Sequence, residues 1–307
     1  MGMVTMMAQQ IRRSSGNENG AGYLFILPWI IGFVAFTAIP FACLFYFTFT
    51  DYDLLSSPKW SGLDNFIHMF TADDKFLTSL KVTFVYVLTA IPLRLIFALL
   101  IALLLNMKIK NVGLYRTAFY IPSIIGGSVA VAVMWGQLFG LNGAVNALIE
   151  AVFGFRPNVS WIAHPDTALW SLILMAIWQF GSPMIIFLAG LKNIPESYYE
   201  AAVVDGANAF QRFIKITVPL LTPVILFNLV MQIIGGFMTF TQGLIITDGG
   251  PLDRTLFYQL HVYRQGFEFL NMGYAAALSC FLLVIVAILT ALVFKSSSAW
   301  VHYESKG

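Results

Sequence analysis

Residues 196–223 read ESYYEAAVVDGANAFQRFIKITVPLLTP. The fold turns on why a greasy chain carries one stretch this wet. Two glutamates, an aspartate, an arginine and a lysine fall within it. The surrounding chain has 307 residues, of which 59% are hydrophobic and only 10% charged. A soluble domain has about 45–50% apolar and about 25% charged residues. This bias therefore points to an integral membrane protein, because a soluble chain so poor in charge would expose large apolar patches. The formal net charge of +2 gives no reason to expect nucleic acid as a partner. Cys43 and Cys280 both lie in apolar runs without metal-ligand spacing and read as packing residues.

A membrane-crossing helix needs about 20 mostly apolar residues. Six stretches qualify, at about 23–50, 78–105, 113–139, 168–191, 219–246 and 271–294. The first is too long and unbroken for a secretory signal, and no small-residue cleavage site follows it. Residues 1–22, with Arg12 and Arg13, read as a polar cytoplasmic tail, and 296–307 as a second one. Lysine and arginine bias sets the orientation. With the N-terminus inside, ten of the seventeen cations fall inside, six outside, and Arg94 within a span. Both termini and the 192–218 stretch are then cytoplasmic. The outer loops hold two segments with helix-like spacing, 60–70 and 146–155, and a glycine-proline turn cluster at 247–255. They suit either docking of an external partner or anchoring at the membrane interface.

Within the wet stretch, Pro195 suits the start of a helix, and Glu196 and Glu200 lie near its positive end. Gly206 falls where a left-handed helix stop would want glycine. Asn208 and Gln211 have capping-box spacing for a second short helix, with Arg212 and Lys215 in its last turn. Pro219 and Pro223 open the fifth span. The expectation is two short helices with a hinge, outside the bilayer. Exposed Tyr198, Tyr199, Ala201, Ala202 and Val203 would suit a groove on another protein. An ordinary loop on the membrane surface is the competing reading.

Glu200-Ala201-Ala202, then Gly206, then Ile216-x-Val218-Pro219 resembles the EAA loop of binding-protein-dependent ABC importer permeases. Val218 stands where leucine is usual. The phrases LYRTAFYIP (114–122), DGGP (248–251) and FEFLNMGYAAALS (267–279) resemble the sugar branch of that family, the maltose and glycerol-3-phosphate type. The resemblance runs from about Tyr23 to Phe294. It implies an all-α integral membrane protein with six transmembrane helices in the type I ABC importer permease fold, and a permease domain over 23–295. It also implies a role for 192–218 as a coupling loop held in a cleft of an ATPase subunit. The coupling residues would be Glu200, Ala201, Ala202, Asp205 and Gly206. The implied partners are a second homologous permease subunit, two ABC ATPase subunits and an extracytoplasmic solute-binding protein, with lipid around the spans.

The chain carries no G-x-x-x-x-G-K-[ST] run to cradle nucleotide phosphates, no H-E-x-x-H and no Cys/His cluster. Its four histidines read as loop or tail residues, and no Ser/His/Asp set can be argued. No cofactor is expected on this chain, with ATP and Mg left to the partner ATPase subunits. Polar side chains inside spans tend to face the bundle interior. Ser123 in span three, Trp178, Gln179 and Ser182 in span four, and Asn228, Gln232, Thr239 and Gln242 in span five are candidates for the solute pathway. Amides and hydroxyls suit sugar hydroxyls, and a tryptophan ring suits an apolar sugar face. The same residues equally suit interhelical hydrogen bonding. Arg94, near the centre of span two, has no carboxylate in any span to pair with. Two readings stand for it, a structural pairing and recognition of an acidic or phosphate-bearing solute. Other functions weighed are an ion-coupled secondary transporter, which would want carboxylates in the spans, an intramembrane enzyme and a non-transporting membrane scaffold.

Overall fold

The computed structural model describes residues 23–107 and 110–302. The expectations for the N-terminal tail, for Lys108 and for Lys306 lie outside the described residues.

Helix α1 (Tyr23–Thr48) is apolar on every side, and none of its most hydrophobic window is buried within the chain. A helix hydrophobic all round belongs in lipid or against other apolar helices. It packs on one side against the last helix. A short antiparallel pair follows, Thr50–Asp51 with Lys59–Trp60, in which Thr50 faces Trp60. The outer-loop segment expected over 60–70 forms α2 (Asp64–Thr71). Helix α3 (Asp74–Asn106) has 33 residues. At about 1.5 Å per residue it is roughly 50 Å long, more than the ~30 Å hydrocarbon layer requires. Asp73 starts it by accepting the backbone N–H groups of Lys75 at 2.9 Å and Phe76 at 3.1 Å.

The third and fourth apolar runs are not straight. Residues expected as one crossing over 113–139 form α4 (Val112–Ile125) and α5 (Val129–Leu138), bent by 98°. The chemistry lies at Pro122, Gly126 and Gly127. Proline cannot donate to the helical ladder, and two successive glycines weaken it. Ser128 then starts α5 by accepting the Val131 N–H. The fourth run is α7 (Ala168–Trp178) and α8 (Gly181–Lys192), bent by 40°. Between the two bent pairs, α6 (Ala144–Phe153) matches the amphipathic outer segment and ends at left-handed Gly154.

The cytoplasmic stretch gives α9 (Glu196–Val204). The expectation of a second separate short helix is corrected. That helix is continuous with the fifth span as α10 (Ala209–Phe237), passing through one π-helical turn at Phe213–Thr217. Arg212 and Lys215 are therefore inside a long helix and do not cap a short one. The same helix stops at Phe237 although the apolar run continues to 246. Gln232, Gly235 and Gly236 consequently occupy its last two turns, and Thr239 and Gln242 lie beyond its end. Helix α11 (Tyr258–Tyr263) follows the turn cluster, and α12 (Met272–Trp300) runs past the expected end at 294. The four long helices and two bent pairs make up to six membrane crossings.

Helix α3 runs through the middle, packed against α7, α8, α10 and α11. Its buried Ala90, Ala98 and Ala102 allow close approach. Gly190 brings α8 onto α10, where an added Cβ would meet Leu221 and Val224 at 2.8 Å.

Candidate functional site

Where α3, α7, α8, α10 and α11 converge they line a cavity of about 690 Å³ that is open on one side. A volume of this order suits a small-molecule ligand. Of the residues singled out from the sequence, Arg94, Gln179, Ser182, Gln232, Thr239 and Gln242 line it. Ser123, Trp178 and Asn228 do not. The Trp178 ring is turned toward Trp135, with ring centroids 5.4 Å apart, on the side of α7 that packs against α5. Asn228 is fully buried in α10.

Three lining groups escaped the sequence reading. Tyr86 comes from α3, Gln259 and Tyr263 from α11, and Phe240 and Phe267 from the segments flanking it. Phe240, Tyr263 and Phe267 form an aromatic run, with successive centroids 4.9 Å and 5.3 Å apart. The cavity thus combines the amides of Gln179, Gln232, Gln242 and Gln259 with an aromatic wall, and Arg94 is its one charged lining residue. Phe240 lies in the expected fifth span, but Tyr263 and Phe267 lie in the outer segment between the fifth and sixth, where no solute contact was sought.

Arg94 resolves into a pairing with backbone. Its Nε donates to the Gln179 carbonyl oxygen at 2.9 Å, and its Nη2 donates to the same oxygen. Ser123 Oγ donates there too, at 2.8 Å, and accepts from the Ser182 N–H at 3.0 Å. The Gln179 side chain donates through Nε2 to the Gly126 carbonyl at 3.3 Å. The break in the fourth span is thereby satisfied by the second and third spans.

On the cytoplasmic face, Pro195 precedes α9 with an extended ψ of 133°. Gly206 follows it in the left-handed region, with φ +79°. The Ala207 N–H reaches the Ala202 carbonyl at 2.8 Å and the Gly206 N–H the Val203 carbonyl at 3.0 Å, which closes the helix end. The Asn208–Gln211 capping box has both bonds at 2.9 Å. Tyr199 shares a 2.9 Å hydrogen bond with Thr217, fastening α9 to the base of α10. Glu200, Ala201, Asp205 and Gly206 are exposed and Ala202 is half-buried. Val204 and Phe210 present 88% and 72% of their surfaces, an apolar face that none of the described residues covers.

On the outer side the histidine reading is corrected. His261 is buried in α11, and its Nε2 bonds Asp73 Oδ2 at 2.7 Å. The Tyr274 hydroxyl donates to the same oxygen. Burial pushes the Asp73 carboxyl up, but the hydrogen bonds from Tyr274 and His261, the nearby imidazole charge and the Lys75 N–H outweigh it. Its pKa is held below the usual carboxylate value. Among the described residues no group of three or more His, Cys, Asp or Glu is placed to hold a metal ion.

Bent helical crossings around a polar central cavity, with a capped exposed helix on the cytoplasmic side, define a polytopic membrane permease. The match over residues 69–299 to the family of binding-protein-dependent transport system inner membrane components shows that the chain belongs to that family. The chain is 58% identical to a probable ABC transporter permease protein, YesP of Bacillus subtilis (strain 168), over 97% of each chain. It is 33% identical to the sn-glycerol-3-phosphate transport system permease protein UgpA of Yersinia pestis, covering 92% of this chain and 95% of that one. With the arabinooligosaccharides transport system permease protein AraP of Bacillus subtilis it shares 30% identity over 92% and 90% of the two chains. The fold matches a chain of a bacterial alginate ABC transporter with TM-score 0.79 at 22% identity, over 92% of this chain and 96% of that one. The protein is a multi-pass permease subunit of a binding-protein-dependent ABC importer. Hydrolysis of ATP belongs to other subunits of such systems, and this chain is not an enzyme.

Proposed function

We propose that the chain forms one half of the translocation path of a carbohydrate importer and that the cavity holds part of the sugar. The observation that carries this is the pairing of four glutamine amides with the Phe240–Tyr263–Phe267 wall. Amides donate to and accept from hydroxyls, and aromatic faces stack on the apolar faces of sugar rings. The names of relatives such as the arabinooligosaccharides permease support an oligosaccharide or related sugar.

In this reading a second permease subunit supplies the other wall, and two ATPase subunits bind ATP and Mg. An extracytoplasmic binding protein delivers the sugar, and the membrane-crossing path alternates between inward and outward access. Helix α9 and its neighbour through Thr217 form the coupling element, with Glu200, Ala201, Ala202, Asp205 and Gly206 at its docking face. Glu200 is acceptor-only when ionised, so a basic or amide group is its partner on the ATPase.

The test is uptake of labelled oligosaccharides by the full complex in proteoliposomes. Gln232→Ala and Tyr263→Ala are expected to lower uptake while leaving assembly intact, each by about tenfold, the equivalent of one lost hydrogen bond or stacking face of about 1–2 kcal/mol. Normal uptake in both variants would place the sugar elsewhere.

A further inference from the structure

Helix ends leave backbone carbonyls without intrahelical partners, and inside a membrane such groups must be satisfied by protein. At the break between α7 and α8 the Gln179 carbonyl is met by more than one donor. Arg94 brings Nε and Nη2, and Ser123 brings Oγ. Ser123 in turn accepts the N–H of Ser182, in the first turn of α8. The Gln179 amide reaches the other way, to the Gly126 carbonyl at the 98° bend of the third span. The fit there is close, since a Cβ on Gly126 would lie 2.5 Å from Gln179 Cδ. One residue therefore fastens the breaks of two spans to each other and to α3. Both Gln179 and Arg94 also line the cavity.

We propose that Arg94 is a positioning residue for this joint and not a ligand for an anionic solute. It fixes the angle at the α7–α8 break. Through Gln179 it makes that break and the α4–α5 bend move as one unit when the cavity is filled. The geometry favours this over anion recognition because the guanidinium directs two of its donors at a neutral carbonyl. An arginine kept for a carboxylate would present its planar fork to the cavity. The inference rests on the cavity being the solute site.

The experiment uses the complete importer, with permeases, ATPases and binding protein. Spin labels at exposed Val133 on α5 and Ile185 on α8 report the distance across both breaks, in a background where exposed Cys43 is alanine. Arg94→Gln is expected to broaden or shift that distance without any solute present. It should also lower the ratio of solute-stimulated to basal ATP hydrolysis by about tenfold, equally for neutral and acidic oligosaccharides. Arg94→Lys should be intermediate, because an ammonium is a point charge and not a fork. Ser123→Ala should shift both readouts in the same direction, and adding it to Arg94→Gln should cost less than the sum of the two, because both act on one carbonyl. Loss confined to acidic solutes with the distance unchanged would overturn the proposal. So would strict additivity. If Arg94→Gln fails to assemble, Ser123→Ala carries the test alone, and an unchanged distance and ratio there would overturn it. A wild-type complex that moves no carbohydrate would count against the solute reading only, since the distances are read without solute.

Discussion

At the scale of single residues, Asp73 holds the outer ends of three elements together. It caps α3, accepts from His261 in α11 and accepts from Tyr274 in α12, with its side chain only 6% exposed. The exposed Lys75–Asp253 pair nearby, at 3.6 Å, adds little, because screened surface pairs contribute about 0–1 kcal/mol. The Asp73 pKa is depressed in the folded protein. Its contribution is therefore present above the unfolded carboxylate range and is lost as pH falls through the folded value, in acid below about pH 4. Asp73→Asn is expected to destabilise the protein at neutral pH by about 1–3 kcal/mol. It should also flatten the acid limb of the curve, as read by thermal unfolding midpoints between pH 7 and pH 3. An acid limb as steep as that of the wild type would show that other groups govern it. No sequence pattern could have announced this cluster, because its members are separated by up to 201 residues. Arg94 escaped for a different reason. Its partner is a backbone carbonyl, which is the same at every position and leaves no trace in a sequence.

Among elements, the local structure of residues 195–212 was largely legible. Gly206, the Asn208–Gln211 box and the exposed α9 all follow from local chemistry, and local chemistry is what a sequence records. The bends were not legible in the same way. Hydropathy counts apolar residues without regard to direction, so 113–139 reads as one crossing. The signals were Pro122 and Gly126-Gly127-Ser128, and they mark a break only once weighed against the long apolar run around them. The glycine where α12 begins makes a sharper prediction. A Cβ on Gly273 would lie 2.1 Å from the Thr50 carbonyl oxygen, and that oxygen belongs to backbone that cannot swing aside. Gly273→Ala is expected to cost about 1–3 kcal/mol or more through strain, read as a lower yield and unfolding midpoint of the purified complex. A variant as stable as wild type would mean that the Thr50 strand pair shifts freely. For the proposed coupling element, Gly206→Val strains a left-handed residue by about 1–2 kcal/mol and misdirects the start of α10. Combined with Glu200→Ala, it is expected to reduce retention of the ATPase subunits and solute-stimulated hydrolysis, with docking of the binding protein on the opposite membrane face unchanged. Full retention and full stimulation in the double variant would make the segment an ordinary surface loop.

For the whole molecule, six crossings leave much apolar surface unclaimed. Phe25 and Phe36 on α1 each expose 85% of their surface, and Leu114, Ile124 and Val129 on α4 and α5 stay more than half exposed. Lipid covers part of this. The proposed second permease would cover the side on which the cavity needs another wall. The chain is expected to purify as a monodisperse species only when co-expressed with that permease and the ATPase, as size-exclusion profiles would show. Transport-competent protein from this chain alone would contradict the arrangement. The membrane class and up to six crossings could be read from composition and hydropathy, which are sums over many residues. The cavity wall could not, because it forms where distant segments meet.

The uninterrupted run of α10 has a mechanical consequence. Its 29 residues run as one helix from Ala209, beside α9, to Gln232 at the cavity, with a π-helical turn at Phe213–Thr217 and Pro219 and Pro223 near its base. The two are 23 residues apart in sequence, about 35 Å along the helix axis at about 1.5 Å per residue. A continuous helix of that length, moved from its base, acts as a lever. If its cytoplasmic end is held and the helix tilts by about 10°, the cavity end swings by about 6 Å, on the order of one helical turn. A displacement of that size moves an amide from within reach of a hydroxyl to well out of reach. A small closure at the base would then suffice to release the solute, with no need for a signal relayed residue by residue along the span.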